Sequence, residues 1–160
     1  MWLQGPPTKL TTQSSTGLIS SAVSPSLSAL SNSSFATCYD EWRLTRLRFK
    51  LYPLGQNGGA TKFIMDDEDA TLPNLTYANS RRGFLYVNDS ANLKSTPVID
   101  YRCEDLNDLE WRSCKSTATY TPMALKIYTD LSTYVSQPST DLWLISWEGF
   151  FEFRGIGNQN

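Results

Sequence analysis

The chain of 160 residues is expected to fold as an all-β sandwich or barrel, and three observations lead there. Short apolar and β-branched runs recur along it, separated by Gly, Pro, Asn and Asp clusters, which is the spacing of short strands and tight turns. One run has the two-residue period of a strand with one buried and one wet face, Leu47, Phe49 and Leu51 alternating with Arg46, Arg48 and Lys50. Only 19% of residues are charged, while 5 Trp, 8 Tyr and 7 Phe accompany a Ser and Thr content of about a fifth, a composition that favours strand over helix.

The elements follow in order. Before Cys38 the only charged side chain is Lys9. Residues 1–16 are therefore expected as a flexible N-terminal arm and residues 17–160 as the folded domain. Residues 17–23 read as a short strand stopped by Ser24 and Pro25. The strand entered at Tyr39 carries Trp42 and Leu44 on the opposite parity from Leu47, Phe49 and Leu51, so burying both sets requires a bulge near Thr45. Pro53 ends its ladder and residues 55–59 supply a turn. Residues 60–65 form the returning strand, and a helical turn is expected around residues 70–77. Further strands are expected at residues 84–87, 97–103, 111–114, 123–128 and 141–154. The last is apolar on both parities at its start and must be central. Its second face is expected to pack on a neighbouring subunit through Trp143, Trp147 and Phe151.

Composition also excludes chemistry. The chain has no histidine, so Ser-His-Asp triads, Cys-His dyads and nearly all zinc sites are ruled out. A net charge of −2 argues against nucleic-acid binding by bulk electrostatics, though not against local basic patches. No apolar run reaches the roughly eighteen residues of a membrane span, and the start Met1-Trp2-Leu3-Gln4-Gly5 lacks a signal peptide's charged and apolar regions, so a soluble chain without membrane contact is expected. Cys38, Cys103 and Cys114 follow no CxxC spacing and read as free buried thiols, a Cys103–Cys114 bridge being the alternative.

Three clusters carry chemistry. Asp66, Asp67, Glu68 and Asp69 form an oxygen-only set suited to Ca²⁺, with Asp66, Asp67 and Asp69 as candidate ligands, or else a solvated acidic loop. Arg43, Arg46, Arg48 and Lys50 form a basic ladder that suits phosphate contacts, acids of an adjacent subunit, or plain solvent. The aromatic residues of the last strand read as core or interface, with a sugar-stacking platform and a Glu148/Glu152 hydrolytic pair as the alternatives.

Tyr39, Trp42, Arg43, Leu47, Phe49 and Pro53 make a Tyr-x-x-Trp-Arg start followed by alternating apolar residues and a closing Pro. In this the chain resembles the shell domain of single jelly-roll coat proteins of small icosahedral viruses, the tombusvirus-like and sobemovirus-like families, where the pattern marks the third barrel strand. Residues 63–69 with Leu72-Pro73 are similar to the next strand and its acidic loop, and residues 142–153 to the terminal strand. The resemblance covers about residues 17–154. It implies an eight-stranded antiparallel jelly-roll sandwich, a capsid protein and not an enzyme. It also implies self-assembly of identical copies into an icosahedral shell around a nucleic-acid genome, RNA rather than DNA, in the virion after assembly in the host cytoplasm. Calcium at subunit interfaces near the acidic loop is a further implication. One departure stands out: such coat proteins usually begin with an Arg/Lys-rich arm, and this leader has only Lys9. The reading from a different class is a β-sandwich carbohydrate-binding or lectin-like module.

Overall fold

The computed structural model describes residues 1–30, 34–54, 59–66, 71–88, 96–129 and 139–156. Within them two antiparallel sheets enclose one core. The larger holds β1 (Trp2–Gln4), β2 (Thr8–Thr11), β4 (Glu41–Pro53), β7 (Val98–Arg102), β8 (Arg112–Ser113) and β10 (Asp141–Arg154). The smaller holds β3 (Ser20–Val23), β5 (Ala60–Asp66), β6 (Phe84–Val87) and β9 (Ala124–Tyr128). Two short helices, α1 (Phe35–Cys38) and α2 (Leu75–Ser80), sit in the connections.

β1 and β2 lie end to end along one side of β10, and β7 and β8 end to end along β4. Taking each such pair as one strand leaves eight, in the order first, eighth, third, sixth in one sheet and second, seventh, fourth, fifth in the other. That interleaving is the eight-stranded antiparallel jelly roll, as expected.

β4 shows how the sequence builds it. The β4–β10 register runs Phe150↔Arg46 and then Phe151↔Leu44, which leaves Thr45 as the extra residue. The bulge resets the parity, so Trp42 and Leu44 face the core together with Leu47, Phe49 and Leu51, all five at most 1% exposed. Gly149 makes room beside it: an added Cβ would lie 2.7 Å from Leu44 Cδ1 and from Phe151 Cε2. The bulged Thr45 carbonyl accepts from the Cys103 amide at 3.0 Å, tying β4 to the end of β7.

Two expectations need correction. Residues 1–16 are not a free arm, because β1 and β2 pair with β10 along much of its length. Leu10 is buried in the core, and the Gly5 backbone packs so directly on the Trp147 indole that a Cβ there would fall 2.0 Å from the ring. A leader whose one charged side chain is Lys9, set in a Thr-Lys-Leu-Thr alternation, is well suited to cover the edge that a long apolar strand would otherwise expose. The second correction concerns Trp143, Trp147 and Phe151. They are 0%, 3% and 0% exposed within the single chain, so they are core residues and not subunit-interface residues. Trp143 donates its indole N–H to Thr61 Oγ1 at 3.0 Å and meets Phe63 edge-on.

The remaining elements follow closely. β6 and β10 have the expected bounds, and β3, β5, β7, β8 and β9 begin or end within three residues of them. The helical turn falls at Leu75–Ser80, later than expected, because the Asn74 side chain caps it by accepting from the Tyr77 amide at 2.9 Å. The segment Phe35–Cys38 was not foreseen as a helix; Phe35 and Tyr39 both stack on Phe153. The turn expected at residues 55–59 lies mostly outside the described residues.

Candidate functional site

Arg43, Arg46, Arg48 and Lys50 all stand on the outer face of the larger sheet, and register decides what each one meets. Arg43 lies opposite Glu152 and binds it at 2.6 Å. Arg48 lies between Asp100 on β7 and Glu148 on β10, at 2.7 and 3.1 Å; the hydrogen bond and charge of Asp100 hold its pKa above the ordinary arginine value. Lys50 reaches Glu148 diagonally at 3.6 Å. At the far end Arg154 pairs with Glu41 at 2.5 Å, and Trp111 receives both Arg43 and Arg154 on its ring, 4.5 and 4.4 Å from its centroid. These are cross-strand ion pairs, each modest in energy, that neutralise a wet sheet face.

Arg46 differs. Its cross-strand neighbours are Phe150 on β10 and Arg102 on β7. Both arginines are exposed, and among the described residues neither meets an acid. Like charges placed directly opposite destabilise a sheet. A cavity of about 370 Å³ opens beside them, lined among others by Trp2, Arg43, Arg46, Arg102, Phe150 and Glu152. Trp2, 42% exposed, meets Phe150 edge-on at 5.6 Å.

The four-residue basic ladder therefore narrows. Arg43, Arg48 and Lys50 are engaged by acids of their own chain, whereas Arg46 meets no acid among the described residues. Sequence reasoning missed Arg102 and Trp2, whose positions depend on pairings across β7, β4, β10 and β1. Glu148 and Glu152, weighed as a hydrolytic pair, are both bound by cations of β4, unlike the apolar pocket that an acid catalyst uses.

On the opposite side, residues 71–81 cover part of the smaller sheet. Lys62 Nζ donates to the carbonyls of Ala78 and Arg81, Lys126 Nζ to that of Thr71, and Ser20 Oγ to that of Pro73. At the edge of this sheet β6 pairs, among the described residues, with β5 alone. There Phe84, Leu85 and Val87, with Leu72 and Leu75 from the flanking segment, are 47 to 67% exposed. This is an apolar edge of the kind that a lone soluble domain avoids.

Of Asp66, Asp67 and Asp69, only Asp66 lies within the described residues; it closes β5 and is buried. Among the described residues no three acidic or thiol side chains come together as a metal cluster; Asp67 and Asp69, the other two candidate ligands, lie outside the described residues. Cys103 and Cys114 are separate buried thiols and Cys38 is exposed; the Cys103–Cys114 bridge does not form.

No protein-family model and no curated protein matches the sequence. Solved structures do match its fold. The mud crab tombus-like virus structure superposes with a TM-score of 0.67 at 7% identity, over 98% of this chain and 89% of that one. Cocksfoot mottle virus gives 0.62 at 12% identity, over 98% and 96%. A T=1 subviral particle of a Penaeus vannamei nodavirus capsid protein deletion mutant gives 0.62 at 8% identity, over 97% and 94%. From end to end, the chain has the jelly-roll fold seen in the subunits of these virus particles.

Proposed function

We propose that this chain is a viral coat protein that self-assembles into an icosahedral shell enclosing a nucleic-acid genome. The observation that carries the reading is the whole-chain correspondence of the jelly roll to subunits of virus particles, with nearly all of both chains used. The apolar edge at β6 supports it, since identical copies bury such an edge on assembly. The lectin-like alternative loses most of its platform, because Trp143, Trp147 and Phe151 lie inside the core.

Assembly is a binding function. Apolar contacts at β6 and α2 supply the driving force, and the paired charges of the larger sheet tune it. An RNA genome and residence in the virion after assembly in the host cytoplasm belong to the same proposal. So does Ca²⁺ held by Asp66 with Asp67 and Asp69, which rests on their oxygen-only donor chemistry.

Size-exclusion chromatography with negative-stain microscopy tests the proposal, with and without EDTA. Uniform closed particles are expected. A species that stays at the 18.0 kDa of one chain in every condition overturns it. Particles unchanged by EDTA retain the coat reading and remove calcium from it.

A further inference from the structure

Register across the larger sheet sets four residues in one row. Trp2 pairs with Phe150, Phe150 with Arg46, and Arg46 with Arg102, so the row runs from β1 across β10 and β4 to β7 on the sheet's outer face. At the usual strand spacing it is about 14 Å long. One half is aromatic and the other half cationic.

We propose that this row and its cavity form a binding site for single-stranded nucleic acid, with the backbone phosphate between Arg46 and Arg102 and a base against Trp2. The inference rests on the coat-protein reading for its biological occupant, and it names where this face meets the strand. Three observations point to a ligand. Every other cation of β4 meets an acid of a neighbouring strand, whereas Arg46 and Arg102 are held opposite each other with no acid against them among the described residues, an arrangement that an incoming anion relieves. Trp2 meets Phe150 edge-on and has the Arg48 guanidinium 5.4 Å from its ring centroid, yet keeps 42% of its surface exposed, which leaves the uncovered part of the indole for stacking. The cavity of about 370 Å³ has the size of a small-ligand site. Glu152, the acid that lines it, is bound by Arg43 at 2.6 Å, so the net character of the site stays cationic. A carboxylate from a second copy would use the arginines and leave the indole idle; a nucleotide uses both.

The test is fluorescence anisotropy of labelled short oligouridylate and oligothymidylate with the full chain, over a range of salt. Arg46→Gln combined with Arg102→Gln is expected to weaken binding at least tenfold and to flatten the dependence of log K on log salt by about 0.7, the value for one single-strand phosphate contact. Trp2→Ala is expected to weaken binding roughly tenfold with the salt slope unchanged, and Trp2→Phe to restore part of the loss. Arg154→Gln, on a cation outside the row, leaves affinity in place. Because the arginine pair is repulsive, the double variant should melt no lower than the parent, which separates lost binding from lost fold. Shell formation is read in parallel by microscopy. Oligonucleotide affinity unchanged in the double variant overturns the site; if assembly is lost while affinity is kept, the row docks a second copy instead. Parent chains that form shells and bind neither oligonucleotide overturn this site and leave the coat reading standing.

Discussion

Trp143 shows how one side chain separates a core role from an interface role. It is fully buried in the monomer, bonded to Thr61 and packed on Phe63. Trp143→Ala should lower folding stability by about 3–5 kcal/mol, seen as a lower urea midpoint even where no particle forms; an interface tryptophan would leave the monomer midpoint unchanged. The thiols make a second case at this scale. Burial above all pushes Cys103 up to about 12 and Cys114 to about 11. At mildly alkaline pH a thiol reagent should label Cys38 quickly and the other two only after unfolding. The folded state holds these protons more tightly than an unfolded chain whose thiols titrate near 9. Their effect on stability is therefore nil below that pH and turns unfavourable as pH climbs towards 11 and 12. Urea midpoints should fall across this window, and less steeply in Cys103→Ala. Tyr120, raised to about 12 chiefly by burial and then by its hydrogen bond to Asp108, adds to the same trend.

At the scale of elements, β1 and β2 decide whether the sandwich closes. They pair with β10 through Trp2–Gln4 and Thr8–Thr11 and seat Leu10 in the core. A chain beginning at residue 12 should lose much of its urea resistance, or expose β10 and aggregate; a flexible arm could be removed without either effect. The pairing could not be read from the sequence, because residues 2–4 and 8–11 lack an apolar run like the Phe84–Val87 that announced the equally short β6. The Thr45 bulge could be read, since Trp42 and Leu44 on one parity and Leu47, Phe49 and Leu51 on the other leave a single-residue insertion as the way to bury all five. β10 was legible as central for a similar reason. What covers its two sides was not: β4 takes one edge, β1 and β2 take the other, and its inner face fills the core.

For the whole molecule, the two outer faces differ in character. The larger sheet is salted with cross-strand ion pairs, and the smaller ends in the apolar edge of β6. A self-assembling subunit should therefore be more sensitive on the β6 side. Leu85→Asp, at a side chain 67% exposed, is expected to abolish particles in the microscope while leaving the near-ultraviolet circular dichroism and melting temperature of the monomer almost unchanged. Particles that persist would move the contact elsewhere on the surface.

The all-β class, the position of most strands, the bulge in β4 and the absence of histidine chemistry were all legible in the order of the residues, because they depend on local alternation, turn residues and composition. The motif at Tyr39 to Pro53 also pointed to the jelly roll that the structure shows. Tertiary structure alone decided which cations meet acids and which do not. Glu148, Glu152, Asp100 and Arg102 lie about fifty to a hundred residues from their partners on β4, and only the antiparallel register sets three of them against opposite charge and the fourth against Arg46. Ion pairing across a sheet is a property of register, and register is settled by how two apolar faces close on each other.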